Sequence, residues 1–428
     1  MTQKKILIIT YYWPPAGGPG VQRWLKFAKY LPEFGWKPTV FIPENPSYPI
    51  TDESLNNEVP ENIDIIRTKI WEPYRFAEKL SKSNEKFKGG QFDVGKNQSW
   101  KSKLSIWIRG NFFIPDARIF WVKPSVNYLK KYLRENHYDV VVTTGPPHSL
   151  HLTGLALKKE FPNLKWIADF RDPWTEISYY KHLKLSKSAD RKHRELEKSV
   201  FQNADITLAT SFSDAKNFSA LAANAVCITN GFDSVDASKS EKKANSKFTI
   251  SYIGVLEQLR NPGVLWKILS ELVAESPSFA ENFEMRFVGR VDEHILQELT
   301  DLGLSDFIQN LGYVKHAESV EEMHSADLLL ITNFPDSASK GIIPGKIFEY
   351  LSTGNRIISF GPENADVETI LKQTDAGKHF LYSDKDSAKN YILRMFHEWQ
   401  NGSLQKSRNA KTELYSRRNL TRQLAEIL

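Results

Sequence analysis

The chain has 428 residues, and its 57 lysines and arginines against 51 aspartates and glutamates give a formal net charge of +6. Its 41% hydrophobic and 25% charged residues exclude a disordered polymer and indicate a globular protein, with two domains if each is an α/β domain of roughly 200 residues. A single cysteine, Cys227, excludes a disulfide framework and a cysteine-rich zinc site, so we predict a reducing, cytoplasmic location.

The first predicted elements are typical of a doubly wound sheet. The apolar run KKILIITYYW predicts a buried strand, because it stops at PPAGGPG and has neither the length of a membrane span nor the cleavage site of a secretory signal. A helix from Val21 and a second strand, PTVFIP, follow. Ligands bind at the carboxyl ends of such strands, so Gly17 and Gly18 are candidates to meet a phosphate or a sugar, unless they serve only to turn the chain.

An insertion at about residues 79–121 holds the whole charge surplus. Between Lys79 and Arg109 there are eight basic and two acidic residues, and the aromatic stretch SIWIRGNFFIPDARIFWV overlaps its end. This segment fits an anionic surface on the inner face of the membrane, because lysines are attracted by lipid charge and tryptophan favours the interface. The alternative is a solvated loop that leads into a core helix. Nucleic acid is not expected as a partner, because the rest of the chain has balanced charge.

Two later turns of the first domain, TGPPHSLH and ADFRDPWTE, directly follow the predicted strands DVVVTT and KWIADF. His148 could hydrogen-bond a sugar hydroxyl there, help to neutralise a phosphate, or be structural. Arg171 and Asp172 suit recognition of a polar substrate, with the carboxylate as a hydroxyl ligand or base and Trp174 as an apolar wall. A local ion pair between them is the alternative. We predict His148, Arg171 and Asp172 as catalytic residues.

The chain then repeats the same pattern. We predict a first domain over 1–232, a linker rich in Ser, Lys, Ala and Asn over 233–247, and a second domain over 248–410. In the second domain, apolar strands such as FTISYIG, EMRFVGR and DLLLIT alternate with amphipathic helices. The fold class is therefore α/β, with two Rossmann-like domains that are each a doubly wound parallel sheet. A helix over 411–428 is expected to pack back towards the first domain.

The strongest site pattern of the second domain is KGIIPGKIFEYLSTG. Gly345 permits a close backbone approach, Lys346 begins a helix, and Glu349 lies on the same face three residues later. Lys346 and the amides of the first turn could hold a diphosphate, while Glu349 could accept hydrogen bonds from ribose hydroxyls. The apolar residues between them are expected in the core, and Gly354 is expected to cap the helix. The alternative is an amphipathic helix with one intrahelical ion pair.

Several of these motifs together resemble one family. The two-domain layout, ADFRDPW, NGFD, SYIG with FVGR, LGYV and above all GKIFEYLSTGNRII resemble the GT-B fold glycosyltransferases of family 4, over nearly the whole chain. The resemblance implies two domains that face each other across a cleft. It also implies transfer from a nucleotide diphosphate sugar, with retention of the anomeric configuration.

The resemblance also suggests roles for residues of the second domain. It implies that Glu349 binds the donor ribose and that Lys346 with Gly345 lies near the diphosphate. Gly254 and Gly289 would mark two turns that face the cleft, and the loop of Gly17 and Gly18 would meet the donor from the other side.

One departure from the family pattern concerns the cations that the family carries after the first strand of the second domain. Asn261-Pro262 stands where the lysine-glycine step is usual, and the arginine before it is absent. Arg260 is our candidate substitute, with Arg290 in reserve, because a leaving diphosphate needs a compensating charge.

We therefore predict glycosyl transfer to a sugar or lipid-linked acceptor in the synthesis of a cell-surface polysaccharide or glycolipid. No cofactor beyond the nucleotide sugar substrate is expected. No metal is expected either, because no acidic pair or histidine cluster with metal-ligand spacing stands out. The alternatives are a nucleotide-sugar epimerase of the same fold and a non-catalytic scaffold at a membrane surface.

Overall fold

The computed structural model describes residues 3–72, 100–233, 245–407 and 409–428. The first part of the predicted basic insertion, 79–99, and most of the predicted linker, 234–244, lie outside the described residues. The chain divides into two compact units, Met1–Thr229 with Leu420–Leu428, and Asn230–Asn419.

The N-terminal unit is built on a parallel sheet, which has seven strands within the described ranges. In chain order they are β1 (Lys4–Ile9), β2 (Trp36–Pro43), β3 (Asp64–Thr68), β4 (Val140–Gly145), β5 (Lys165–Phe170), β6 (Ile206–Ala209) and β7 (Ala225–Cys227). Their order across the sheet is β3-β2-β1-β4-β5-β6-β7, and every neighbouring pair is parallel. The winding direction reverses between β1 and β4, where open α/β sheets bind their ligands.

Helices cover both faces of this sheet. They are α1 (Pro19–Tyr30), α2 (Trp100–Phe112), α3 (Ile119–Glu135), α4 (Ser149–Glu160), α5 (Lys187–Asn203) and α6 (Phe212–Ala220). Successive residues of one strand therefore face two different cores. Ile8 packs in a cluster with Trp24, and Ile9 packs in another with Trp121. This double burial explains why the strands are nearly continuous apolar runs.

The C-terminal unit has the same construction. Its described strands are β8 (Phe248–Ile253), β9 (Phe283–Val288), β10 (Ile308–Gly312), β11 (Leu328–Thr332), β12 (Arg356–Phe360) and β13 (Gly377–Phe380). They are arranged β10-β9-β8-β11-β12-β13, and all pairs are parallel. Its helices are α7 (Gly263–Glu275), α8 (Pro277–Asn282), α9 (Glu293–Asp301), α10 (His316–Ser325), α11 (Lys346–Thr353), α12 (Asp366–Thr374) and α13 (Lys385–Gln400).

The last helix, α14 (Arg417–Ile427), contributes to the N-terminal core. Leu420 and Leu424 are buried there. Lys165 Nζ donates to the carbonyl oxygens of Ile427 at 2.7 Å and Leu428 at 3.0 Å. None of the described helices combines the length and the apolar character needed to cross a bilayer.

The predicted fold class, two Rossmann-like domains with parallel sheets, is confirmed. Two strands were missed, namely β3 and β13. Both lie at the edge of a sheet, and β3 has no buried residue while β13 has one. An edge strand that is open on one side lacks the continuous apolar run that identifies a buried parallel strand.

Candidate functional site

The N-terminal unit contains a cavity of about 390 Å³ at the carboxyl ends of its strands. The turns that follow β1, β4 and β5 all line it. These turns contribute Gly17, Gly18, His148, Arg171 and Asp172, and Trp174 lines the cavity as well. Three separate sequence motifs therefore contribute to one cavity, because parallel strands end at the same edge of the sheet.

His148 is a buried and neutral polar group in this cavity. Among the described residues, neither of its ring nitrogens has a hydrogen-bond partner. The ring stacks on Trp174, with the ring centroids 5.2 Å apart and the planes 8° apart. Burial, with smaller effects of the His151 and Arg171 charges, holds the pKa of His148 well below its usual range. Its two unpartnered ring nitrogens leave the imidazole able to hydrogen-bond a ligand that enters the cavity.

The Arg171 side chain ties neighbouring turns together. Its Nη1 donates to the Gly20 carbonyl at 2.7 Å, its Nη2 to the Pro146 carbonyl, and its Nε to the Gly145 carbonyl at 3.4 Å. A Cβ atom at Gly20 would lie only 2.4 Å from Nη1, so a glycine is required for this contact. Three of the five N–H donors of the Arg171 guanidinium are therefore used by the backbone of these turns.

Asp172 is exposed at the cavity. In the described part of the chain its carboxylate has no hydrogen-bond partner and forms no ion pair with Arg171. The alternative of a local Arg171–Asp172 ion pair is not observed. The carboxylate is therefore open to a ligand. The amide of Gly17, in contrast, donates to the Ile50 carbonyl at 2.8 Å and is not available to a phosphate.

Three charged residues of the cavity, Arg109, Asp116 and Arg118, were not predicted from the sequence. The Asp116 carboxylate accepts hydrogen bonds from the Ser149 amide at 2.9 Å and the Ser149 hydroxyl at 2.8 Å, and so caps α4. Arg118 forms an ion pair with the buried Glu72, with 3.3 Å between Nε and Oε1. No local motif joins these residues. Asp116 and Arg118 are thus engaged by other protein groups, and the imidazole and the carboxylate described above are candidate ligands for hydroxyl groups.

In the C-terminal unit, α11 begins at Lys346 as predicted, and Gly354 ends it in the left-handed conformation at φ 73°. The predicted core residues of this helix are buried, namely Ile347, Phe348, Tyr350 and Leu351. Glu349 is exposed. The Tyr350 hydroxyl oxygen accepts a hydrogen bond from the Ile253 amide at 3.1 Å, which fixes the helix against the end of β8.

Lys346 is a partly buried cation beside the turn that follows β8. Its Nζ lies 3.9 Å from the centroid of the Tyr252 ring. Gly254 has φ +116°, and a Cβ atom there would lie 3.0 Å from Nζ. Within the described ranges no carboxylate forms an ion pair with Lys346. Burial, reinforced by the Arg260 charge, lowers the pKa of Lys346 to about 7. An anion that entered this site would restore the charge of the amine.

The other predicted donor residues occupy neighbouring turns. Gly289 follows β9 and its amide donates to the Gly312 carbonyl at 2.6 Å, while Gly345 directly precedes α11. Arg260 Nη2 lies 3.2 Å from the Val255 carbonyl and 3.2 Å from Glu257 Oε2.

The two candidate arginines differ in their surroundings. Arg260 is close enough for its charge to act on Lys346, which supports its choice as the substitute cation. Arg290 is exposed. The described residues include no group of three or more His, Cys, Asp or Glu side chains placed to bind a metal ion.

Comparison with known proteins identifies the fold. No protein-family model and no curated protein sequence matches the chain. Solved structures do match. Anabaena HepE in complex with UDP has a TM-score of 0.60 and 13% identity, and the match covers 99% of both chains.

Two further structures are similar over comparable lengths. Sucrose-phosphate synthase of Thermosynechococcus elongatus has a TM-score of 0.58 and 14% identity over 99% of this chain and 98% of that one. A glycosyltransferase of Rickettsia africae has a TM-score of 0.58 and 14% identity over 100% and 98%. At such identities the similarity establishes the fold, and membership of family 4 stays a prediction. The chain therefore has the two-domain fold of the GT-B glycosyltransferases.

Proposed function

We propose that the protein transfers a sugar from a nucleotide diphosphate sugar to an acceptor hydroxyl. The observation that carries the proposal is Lys346, a partly buried ammonium at the start of α11 that has no carboxylate partner among the described residues. A diphosphate supplies the negative charge that this position lacks. Exposed Glu349 stands one helical turn further on, where its oxygens can accept hydrogen bonds from ribose hydroxyls. The fold shared with HepE, which was solved with UDP, supports the same donor class.

The proposed reaction needs few protein groups. The bond between the anomeric carbon and the diphosphate oxygen breaks, and a bond to the acceptor oxygen forms on the same face of the sugar. The proton of the acceptor hydroxyl passes to the leaving diphosphate. Lys346, Arg260 and the positive N-terminal end of α11 stabilise the charge that develops on that group. We propose that the reaction needs no metal ion and retains the anomeric configuration.

The acceptor is proposed to be a sugar, free or lipid-linked, of a cell-surface polysaccharide or glycolipid. The N-terminal cavity supports this, because the His148 imidazole and the exposed Asp172 carboxylate can form hydrogen bonds with hydroxyl groups. Trp174, stacked on His148, forms an apolar part of the cavity lining.

The test is to incubate the protein with a panel of nucleotide sugars and to measure the release of nucleoside diphosphate. Lys346→Ala should lower the rate by about 10²–10³-fold, the loss typical of a group that stabilises developing negative charge. Lys340→Ala, which removes an exposed lysine of the preceding loop, is the matched control and should leave the rate unchanged. If Lys346→Ala and Glu349→Ala both transferred every sugar at the wild-type rate, the site assignment would be wrong.

The same assay separates the two alternative functions. An epimerase would convert the donor sugar without any acceptor, and chromatography of the donor incubated with the protein alone would detect this conversion. A non-catalytic scaffold would bind no nucleotide sugar in calorimetry. Either result would replace the proposed transfer reaction.

A further inference from the structure

An apolar stripe runs along the outer face of α2. Leu104, Trp107, Ile108 and Phe112 follow helical spacing, and all four are exposed, Trp107 by 40% and Phe112 by 68%. The two aromatic rings meet edge to face, with their centroids 5.6 Å apart. Large apolar side chains at this spacing usually face a core, and a contiguous exposed set marks an interaction surface.

The opposite face of α2 is fixed to the N-terminal unit, so the helix cannot roll to bury the stripe. A Cβ atom at Gly110 would lie 2.7 Å from Leu185 Cδ2, which indicates close packing at that point. Ile106, one turn before Gly110 on the same face, is buried. The end of the helix is held as well, because Asn111 Nδ2 donates to the Lys184 carbonyl at 3.3 Å and its Oδ1 accepts from the Ser186 amide at 2.7 Å. The stripe is therefore presented on a supported helix.

The segment that supports α2 carries positive charge. Lys181, Lys184 and Lys187 are exposed, and none of them forms an ion pair with a described carboxylate. Asn111 bonds to Lys184 and Ser186, so this basic segment lies beside the C-terminal end of the stripe, where Phe112 is most exposed. Aromatic side chains beside these lysines fit a lipid bilayer with negatively charged headgroups, because the rings can enter its apolar layer while the lysines contact the headgroups.

We propose that this face of the N-terminal unit docks on an anionic lipid bilayer. Trp107 and Phe112 enter the interface, and Lys181, Lys184 and Lys187 contact the headgroups. Arg109 and Gly110 of the same helix line the cavity, so a docked stripe holds the cavity beside the lipid surface. A lipid-linked acceptor can then reach the cavity without leaving the bilayer. This last step rests on the proposed glycosyl transfer, whereas the docking itself does not.

Cosedimentation of the full chain with vesicles tests the docking. Wild type should bind phosphatidylcholine vesicles that contain phosphatidylglycerol, and it should bind pure phosphatidylcholine much less. The double variant Trp107→Ser with Phe112→Ser should bind anionic vesicles at least about tenfold more weakly, because it removes two interfacial anchors. Leu221→Ser is the matched control, since Leu221 is another apolar residue of the same unit and is 48% exposed. It should bind like wild type.

A second variant tests the charge independently of the apolar anchors. Replacing Lys181, Lys184 and Lys187 by glutamate should also weaken anionic binding by at least about tenfold, and added salt should weaken wild-type binding. Wild-type binding by both multiple variants, or no binding by wild type, would overturn the proposal. A third result would also overturn it: wild type that does not bind vesicles but forms a concentration-dependent dimer, which the double variant does not form. The stripe would then be a self-association surface.

Nucleotide-sugar binding measured on the same preparations separates this proposal from the proposed function. If the wild-type protein binds nucleotide sugars but not vesicles, the docking proposal is wrong and the proposed transfer reaction still stands. If it binds vesicles but no nucleotide sugar, the proposed transfer reaction is wrong and the docking proposal still stands.

Discussion

Replacing Lys346 by methionine should stabilise the free protein while it abolishes nucleotide-sugar binding. Burial lowers the pKa of Lys346 from 10.5 to about 7, so the folded chain binds fewer protons than the unfolded chain between these values. Stability of wild type therefore rises with pH across this window, and the full cost of the buried charge is present below about pH 7.

The size of the effect follows from the shift. At about 1.4 kcal/mol for each unit, the shift corresponds to at most about 5 kcal/mol. Lys346 keeps some exposure to solvent, which screens the charge, and the variant loses a cation–π contact with Tyr252 worth about 1 kcal/mol. We therefore expect Lys346→Met to gain about 2 kcal/mol below pH 7, since methionine keeps the unbranched apolar stem.

The assay is urea unfolding of wild type and Lys346→Met at a series of pH values. The difference in the free energy of unfolding should be largest below about pH 7 and should vanish above about pH 11, where the lysine is mostly neutral in both states. Lys340→Met, at an exposed position, should change the free energy of unfolding little at any pH. A less stable Lys346→Met variant, or a difference that does not depend on pH, would refute the assignment of Lys346 as a buried and unpaired charge.

Three further predictions concern the same two units. The affinity for UDP-glucose should fall as the pH rises above about 7, by up to about tenfold per pH unit. The reason is that the bound diphosphate raises the pKa of Lys346, so that binding takes up a proton. Calorimetry on Lys346→Arg should show an affinity that does not depend on pH in this range. UDP-glucose is the suitable probe because it lacks the terminal phosphate that titrates near pH 6. Gly254→Ala should weaken UDP-glucose binding about tenfold or more, since Gly254 has φ +116° and the new methyl group would lie 3.0 Å from Lys346 Nζ. The same affinity for wild type and variant in calorimetry would contradict this prediction. Asp169→Asn should lower the free energy of unfolding by about 3 kcal/mol or more, because the variant leaves the buried Arg23 charge unpaired. The fully buried Asp169 carboxylate accepts hydrogen bonds from Arg23 Nη2 at 2.9 Å, Trp24 Nε1 at 2.7 Å and Thr144 Oγ1 at 2.8 Å. An unchanged urea midpoint would contradict this prediction.

Much of both candidate sites could be predicted from the sequence, because the signals are local. The spacing in GKIFEYLSTG fixes which residues of α11 are buried, and Gly354 marks its end. The turn that follows each apolar strand could also be located, so His148 and Asp172 were found as candidates before their contacts were known. These inferences use neighbours a few residues apart, where helical and strand periodicity applies.

The roles of other cavity residues depend on contacts between distant parts of the chain. Arg171 was expected to bind substrate, yet its guanidinium holds the backbone of Gly20, Gly145 and Pro146. Arg118 was not selected at all, because its partner, Glu72, belongs to a different segment. A charged residue after a strand looks the same in sequence whether it faces a ligand or a carbonyl of another turn.

The sequence by itself determined the alternation of buried strands and helices, hence two parallel sheets, and the position of Lys346 at the start of a helix. Tertiary structure alone decided that this amine lies over Tyr252 with no carboxylate partner among the described residues, and that burial lowers the pKa of His148. It also decided that α2 turns Trp107 and Phe112 outward, because Gly110 packs closely against Leu185 on the other face. Periodicity fixes which residues share a face, but burial, and with it charge state and availability for binding, depends on what the rest of the chain places against that face.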